Sequence, residues 1–238
     1  MRPELDIAHE PGVAKPDPVL VIDGMRRAFG GLLAVDIDHL EIQRNTITSL
    51  IGPNGAGKTT LFNLLTGFDT PDAGHYSLDD RLLVGIPAYR VAQRGMVRTF
   101  QLTKVLPRLT VLDNMLVAAK TQPGATFRGA ILGGWHSAER QNREQAMDIL
   151  ERFGLAAMTN EYAGSLSGGQ RKLLEMARAL MVKPTVVMLD EPTAGVNPVL
   201  IQSLLEHVKD LRESGMTVLF VEHDMDVVQS ISDWVVVL

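Results

Sequence analysis

The stretch Gly52-Pro53-Asn54-Gly55-Ala56-Gly57-Lys58-Thr59-Thr60 decides the fold of this chain. An apolar run precedes it and a helical run of leucine and phenylalanine follows it. Glycine lets the backbone curl until successive N–H groups point at one centre, and the following helix adds its positive N-terminal dipole. The stretch therefore predicts a phosphate-binding loop, in which Lys58 reaches the outer phosphates and the hydroxyl of Thr59 binds Mg²⁺. A glycine-rich turn that only joins a strand to a helix is the competing interpretation, and the complete pattern argues against it.

Composition narrows the class of protein. The 238 residues carry a formal net charge of −5 and no cysteine. An extended nucleic-acid interface needs concentrated lysine and arginine, so we expect no nucleic-acid partner. Without cysteine there is no disulfide, thiolate metal site or cysteine nucleophile, and the redox compartment stays open. No apolar run reaches the roughly 18 residues of a membrane span. Residues 1–18, proline-rich and without an apolar signal core, predict a flexible arm on a cytoplasmic protein.

Apolar runs predict the strands of an α/β protein. Residues 19–22 and 32–42 predict an antiparallel element ahead of the phosphate loop. Three later runs are almost continuously apolar and β-branched, which is typical of parallel strands buried on both faces; they cover 185–189, 217–221 and 234–238. Leucine and valine recur at helical spacing from Leu200 to Leu211 and stop at Gly215, a suitable residue after a helix end. These runs predict a βαβ unit.

The middle of the chain differs from its two ends. Residues 103–180 show helical periodicity and no convincing buried strand, which predicts a helical subdomain inserted into a core of residues 19–102 and 181–238. Residues 123–135 are rich in glycine and poor in charge. They indicate either a flexible surface loop or a docking loop.

Two carboxylates follow the apolar run at 186–189. In a phosphate-loop ATPase the first of them, Asp190, holds Mg²⁺ through the water shell of the metal. Glu191 is then placed to orient or deprotonate the attacking water. Capping of the next helix is the ordinary use of such a pair, but a complete phosphate loop earlier in the chain favours the catalytic interpretation.

The segment Leu166-Ser167-Gly168-Gly169-Gln170 opens a helix with one apolar face. Ser167 suits the N-cap and Gln170 completes a capping box. Two glycines cost helix stability, and the N–H groups that they expose indicate a second anion site. Phosphate loop, this segment and acid strand, in that order, resemble the ATP-binding cassette of ABC transporters over residues 19–238.

The resemblance implies a fold, cofactors and a dimer. The fold is α/β, a phosphate-loop NTPase core with an N-terminal antiparallel β element and an inserted helical subdomain. The cofactors are ATP and Mg²⁺. Two cassettes pack head to tail, so that Ser167, Gly168, Gly169 and Gln170 of one subunit cover the ATP on the phosphate loop of the other. The residues expected around ATP are therefore Phe29, Gly52, Pro53, Asn54, Gly55, Ala56, Gly57, Lys58, Thr59, Thr60, Ser167, Gly168, Gly169 and Gln170.

The same resemblance implies roles for three further residues. Gln101 is similar to the glutamine that contacts Mg²⁺ and water and links to the membrane partner, and His223 to the histidine that contacts the γ-phosphate. Phe29 is similar to the aromatic residue that stacks on adenine. The ordinary alternatives are a surface glutamine, a structural histidine and a core phenylalanine. The implied catalytic residues are Lys58, Gln101, Glu191 and His223, and the implied metal-binding residues are Thr59, Gln101 and Asp190.

Two features depart from most cassettes. Asn197 stands in Ala194-Gly195-Val196-Asn197-Pro198, where most cassettes have an aspartate. Communication between the two ATP sites is therefore expected to differ. The sequence stops at Leu238, after an apolar run, where related cassettes continue. We expect a shortened sequence with surfaces that a tail would cover.

Four stretches and one insertion point to a branch of the family. They are residues 62–68, 97–101, 194–198 and 222–225, with the glycine-rich insertion after Asn114. Together they resemble the larger ATP-binding subunit of branched-chain amino-acid importers; urea and lipopolysaccharide-export cassettes share part of the pattern. The resemblance implies permease partners in the membrane, an indirect substrate-binding protein, and a peripheral place on the inner face of the cell membrane.

Gln101 and residues 103–135 are the expected transmitter to the permease. A DNA-repair ATPase would carry a long coiled-coil insertion and a translation factor a second cassette, and this sequence contains neither. An inactive interaction module would not need Lys58, Asp190, Glu191 and His223 together.

Overall fold

A computed structural model describes residues 13–99, 105–119 and 135–238. Within them the chain forms two compact units. The first takes in the described residues up to Val91 together with Leu211–Leu238, and the second takes in those of Ala92–Asp210. In chain order the elements are β1 (Pro18–Phe29), β2 (Leu32–Gln43), β3 (Ile47–Ile51), α1 (Lys58–Leu65), β4 (Ala73–Leu78), β5 (Arg81–Leu82), α2 (Ala88–Gln93), β6 (Met96–Arg98), α3 (Val111–Val117), α4 (Trp135–Arg152), α5 (Gly168–Leu180), β7 (Val186–Asp190), α6 (Pro198–Glu213), β8 (Thr217–Val221), α7 (Met225–Ile231) and β9 (Trp234–Val237).

An antiparallel sheet forms one part of the first unit. Its strand order is β2-β1-β4-β5. Leu20, Ile22, Met25 and Tyr76 are buried along β1 and β4, as the alternating pattern requires for one apolar face. The strands predicted over 19–22 and 32–42 are confirmed, and both extend further than the apolar runs.

Parallel strands form the other part of the first unit, where β8 and β9 both pair with β3. All five residues of β8 are buried, as predicted for 217–221. The same prediction is wrong for 234–238, because Val235 is 47% and Val237 70% exposed. The cause is position: among the strands that the structure describes, β9 lies at the edge of the sheet, beside β3. Helix α1 follows β3 and buries Leu61, Phe62 and two leucines completely.

The second unit combines parallel strands with helices. Strands β6 and β7 are parallel neighbours, and every residue of β7 is buried. Helices α3, α4 and α5 pack against one another. Helix α6 ends as predicted, since the N–H of Gly215 (φ +86°) donates to Arg212 and that of Met216 to Leu211. None of the helices in the described ranges is long and apolar enough to cross a bilayer.

Candidate nucleotide site

The predicted phosphate loop joins β3 to α1 in the first unit. Gly57 holds the N-cap position of α1 in a left-handed conformation, with φ at 90°. A Cβ at this position would lie 2.0 Å from the carbonyl oxygen of Ala34, so only glycine fits. Gly55 is also left-handed, yet a Cβ there would meet nothing within 4 Å. The loop therefore packs closely against β2 at Gly57. At Gly55 it is open, and there is room for a ligand that the backbone N–H groups of the loop would bind.

Lys58 lies across this loop. It is 6% exposed, and its ammonium donates to the carbonyl oxygens of Gly52 (2.7 Å) and Pro53 (2.9 Å). No carboxylate among the described residues pairs with it. A buried cation without an anionic partner favours an anion at the loop mouth, and phosphate oxygens supply one. Thr59, the next residue, exposes its side chain. The residues present therefore fit a phosphate group.

Phe29 ends β1 on the same unit. It is 47% exposed, which excludes the alternative of a core phenylalanine. The guanidinium of Arg27 lies 4.7 Å from the ring centroid, at cation–π distance. Asp69 (2.8 Å) and Asp72 (2.7 Å) hold that guanidinium, and a hydrogen bond to Asp72 raises the pKa of Arg27. The aromatic ring thus rests on a fixed cation while part of it stays open to solvent.

His223 follows directly after β8, where functional side chains of parallel sheets gather. Its side chain is exposed, and its backbone N–H donates to the carboxylate of Glu222, which is buried. The next residue, Asp224, caps α7 by accepting from the N–H of Asp226 at 2.9 Å. The carboxylate of Glu222 therefore holds the backbone of His223 directly before the N-cap of α7.

Asp190 ends β7 in the second unit and forms a buried ion pair. Arg98, the last residue of β6, donates to Oδ2 of Asp190 at 2.6 Å, and the two side chains are 5% and 4% exposed. The pairing follows from register, since Arg98 lies opposite Met188 and its long side chain reaches two residues onward. Sequence reasoning assigned no role to Arg98. A charged residue at the end of an otherwise apolar strand is the signal that could have found it, because buried charges are paired.

Glu191, directly after β7, has φ at 47°. This left-handed conformation costs a residue with a side chain on the order of 1–3 kcal/mol, and it persists only where the surroundings impose it. Such strain is common at functional sites. The chain therefore holds Glu191 in an unusual conformation at the point where sequence reasoning placed the catalytic carboxylate.

The segment at 166–170 begins α5 with the predicted capping box. Ser167 Oγ accepts from the N–H of Gln170 (3.3 Å), and Gln170 Oε1 accepts from the N–H of Ser167 (2.9 Å). A Cβ at Gly168 would meet nothing within 4 Å, so the helix N-terminus is open there. A Cβ at Gly169 would lie 2.4 Å from Cδ1 of Leu200 in α6. A side chain at Gly169 would therefore require the end of Leu200 to shift, a packing effect that the sequence pattern does not predict.

Three expected features lie partly or wholly outside the described residues. Gln101 is outside them, and so are most of the arm at 1–18 and most of 123–135. Asn197 is described, and its carbonyl oxygen accepts from the N–H groups of Leu200 (2.9 Å) and Ile201 (3.1 Å) at the start of α6.

Residues 35–194 match the family model of ABC transporters. The chain is 42% identical over 224 residues to BraF of Pseudomonas aeruginosa, a high-affinity branched-chain amino acid transport ATP-binding protein; the match covers 93% of this chain and 88% of that protein. A probable branched-chain amino acid transport ATP-binding protein LivG of Methanocaldococcus jannaschii is 34% identical over 220 residues, covering 92% and 86%.

Solved structures show the same fold. The ADP conformation of an ATP-binding cassette of an ABC transporter matches with a TM-score of 0.79 at 34% identity, over 93% of this chain and 87% of that one. A dimeric bacterial ABC transporter cassette matches with a TM-score of 0.74 at 25% identity, over 92% and 94%. The predicted fold class, an α/β phosphate-loop core with an antiparallel sheet and a helical region, is confirmed.

Proposed function

The chain belongs to the ABC transporter family, and we propose that it is the ATP-hydrolysing subunit of an importer for branched-chain amino acids. One observation carries the choice of substrate: the 42% identity with BraF extends over 93% of the chain, so it includes far more than the motifs common to all cassettes. The ATPase activity belongs to the family as a whole.

Binding of the nucleotide rests on the first unit. The buried ammonium of Lys58 supplies charge to the β- and γ-phosphates, and the open loop at Gly55 presents backbone N–H groups to them. Phe29, supported by Arg27, offers an aromatic surface on which adenine stacks. In this arrangement, Lys58 and the loop N–H groups bind the phosphates by electrostatic attraction, and Phe29 binds the adenine base by stacking.

Mg²⁺ accompanies the nucleotide in this proposal. Because Mg²⁺ keeps most of its ligands as water and phosphate oxygens, it needs only one or two protein oxygens. The hydroxyl of Thr59 would bind the metal directly and the carboxylate of Asp190 would act through its water shell, and Gln101 is a further candidate. When bound, Mg²⁺ would neutralise charge that develops on the transferred phosphoryl group. Glu191 then orients or deprotonates water, and His223 contacts the γ-phosphate.

Partners complete the proposed site. A second cassette, equal or related, packs head to tail, and its Ser167, Gly168, Gly169 and Gln170 cover the ATP of this chain. The open helix N-terminus at Gly168 supports this role, since it leaves backbone N–H groups accessible to an anion. Permease subunits dock on the pair at the cytoplasmic face of the membrane, and a substrate-binding protein acts through them.

A hydrolysis assay tests the enzymatic half of the proposal. Lys58→Ala should lose most nucleotide affinity or turnover. Glu191→Gln should bind ATP but release phosphate about 10²–10⁴-fold more slowly, since it lacks the base. Glu206→Gln, the same change at an exposed position of α6, serves as the control and should match the parent chain. Undiminished hydrolysis by Glu191→Gln would refute the role of Glu191.

Transport tests the substrate. In Pseudomonas aeruginosa lacking BraF, this chain should restore uptake of labelled leucine, whereas its Lys58→Ala variant should not. If the purified chain hydrolyses ATP but the cells take up no leucine, the proposed substrate is refuted and the proposed ATPase activity is not. A parallel urea-uptake assay shows whether the related urea systems fit better.

A further inference from the structure

We propose that Lys172 is a positioning residue for Glu191, and that it joins the catalytic loop after β7 to the helix that carries Ser167. The inference rests on the proposed function, because it takes Glu191 as the residue that handles water. It adds a residue to which the sequence motifs assign no task.

The contacts of Lys172 are concentrated on one loop. Its ammonium donates to the carbonyl oxygens of Ala194 (2.5 Å), Pro192 (2.9 Å) and, at longer range, Glu191 (3.4 Å). These three acceptors lie within the four-residue stretch 191–194, so their carbonyl groups converge on one point. A lysine ammonium has three donors, and three carbonyl oxygens of this loop lie within hydrogen-bond distance of it.

The loop has a physical need for this cation. Three carbonyl dipoles with their negative ends together repel one another unless a positive charge lies between them. Glu191 is also left-handed, and that conformation persists only where the surroundings impose it. Inside the loop, the N–H of Ala194 donates to Glu191 (3.1 Å) and that of Val196 to Thr193 (3.1 Å). Lys172 adds a tertiary contact that favours this loop shape.

Lys172 links the helix that begins after Ser167 to the loop that contains Glu191. It lies in the second turn of α5, whose N-cap is Ser167. In the proposed dimer, Ser167 faces the ATP of the partner while Glu191 serves the ATP of its own chain. A helix is stiff over such a short length, so a displacement at Ser167 reaches the carbonyl groups that Lys172 holds. Lys172 thereby couples occupancy of one ATP site to the geometry of the catalytic carboxylate in the other.

Three variants test the proposal. Lys172→Met removes the ammonium and keeps an unbranched side chain, and Lys172→Arg keeps the charge. Lys183→Met is the matched control, because Lys183 is an exposed lysine of the same unit. In the protein without nucleotide, Lys172→Met should speed amide hydrogen exchange at Ala194 and Val196 by about tenfold or more, while the control should not.

Kinetics supply the second measurement. Lys172→Met should lower kcat by about tenfold or more with KM for ATP changed less than about threefold, since the defect concerns the water-activating group and not binding. Lys172→Arg should recover most of the loss. This split between kcat and KM, with rescue by charge, separates positioning from general destabilisation.

Several outcomes would overturn the proposal. Unchanged exchange at Ala194 and Val196 would show that Lys172 does not hold the loop. Faster exchange with unchanged kcat would show that the loop shape does not matter for Glu191. A thermal midpoint lowered together with a raised KM would assign Lys172 to folding alone. A parent chain that hydrolyses no ATP would instead refute the proposed function and the catalytic half of this inference, and exchange would still report whether Lys172 holds the loop.

Discussion

Loss of the buried ion pair between Arg98 and Asp190 should destabilise the chain far more than loss of an exposed pair of similar length. The buried pair measures 2.6 Å with side chains 5% and 4% exposed. The pair between Arg26 and Asp36 measures 2.8 Å with side chains 58% and 46% exposed. The two pairs therefore differ mainly in how much water surrounds them.

Burial sets the magnitude of the effect. Two unit charges with centres roughly 4 Å apart attract by about 1 kcal/mol in water and by about 4 kcal/mol at the effective permittivity of a protein site. Arg98→Met leaves the carboxylate of Asp190 buried without its partner, which typically costs about 3–5 kcal/mol. Arg26→Met should cost less than about 1 kcal/mol, because water takes the place of the lost partner.

Urea unfolding followed by circular dichroism measures both losses in the protein without nucleotide. A double-mutant cycle with Asp190→Asn isolates the pair from the other contacts of Arg98, and a second cycle with Asp36→Asn does so for the exposed pair. The coupling free energy should exceed about 2 kcal/mol in the first cycle and stay below about 1 kcal/mol in the second. Equal couplings in the two cycles would refute the argument from burial.

The same variant also tests the proposed metal role of Asp190. Mg²⁺ would return positive charge to a carboxylate that has lost Arg98. MgATP should therefore stabilise Arg98→Met more than it stabilises the parent chain, whereas ATP with EDTA should stabilise both equally. Equal gains from MgATP would count against a place for Asp190 in metal binding.

Three further predictions concern other parts of the chain. Gly57→Ala should lower the free energy of unfolding by at least 2 kcal/mol more than Gly55→Ala in urea titrations, since both residues are left-handed but only the first meets a backbone oxygen, at 2.0 Å; similar losses would contradict it. Burial raises the pKa of Tyr76 to about 12, so the folded state disfavours ionisation and stability should fall between pH 10 and 12 more steeply than in Tyr76→Phe. In mixed dimers, Gly168→Asp should disable the ATP site of the partner subunit and spare its own; it is a cleaner probe than Gly169→Asp, whose Cβ also clashes with α6.

Features set by neighbouring residues could be predicted from the sequence. The capping box of Ser167 and the end of α6 at Gly215 depend on hydrogen bonds and backbone conformations within a few residues. Such local constraints act alike in any tertiary setting. The pattern of residue types therefore predicted them correctly, and the family resemblance added the order of the elements.

Features set by distant partners could not be predicted. The exposure of Val235 and Val237 depends on which strand β9 pairs with, and an apolar run does not contain that information. The pairing of Arg98 depends on the register between β6 and β7. The contact of Gly169 with α6 depends in the same way on chain segments far apart in sequence. Periodicity predicts that a residue is buried, whereas the topology determines which residues it packs against.

Asn197, which replaces the usual aspartate, shows how a local substitution can act only across the proposed dimer. It directly precedes Pro198, the first residue of α6, and asparagine and aspartate cap helices about equally well. Its carbonyl oxygen accepts two N–H groups of that helix, which either residue would do. The backbone before it is held by Lys172 and not by a charge at 197. Asn197→Asp should therefore change the free energy of unfolding of the isolated chain by less than about 0.5 kcal/mol. It should nevertheless alter the lifetime of the ATP-bound dimer formed by Glu191→Gln, measured by gel filtration, because residue 197 is expected to face the partner subunit in the proposed dimer. A large loss of stability in the single chain, with an unchanged dimer lifetime, would show instead that residue 197 acts on folding and not on the dimer.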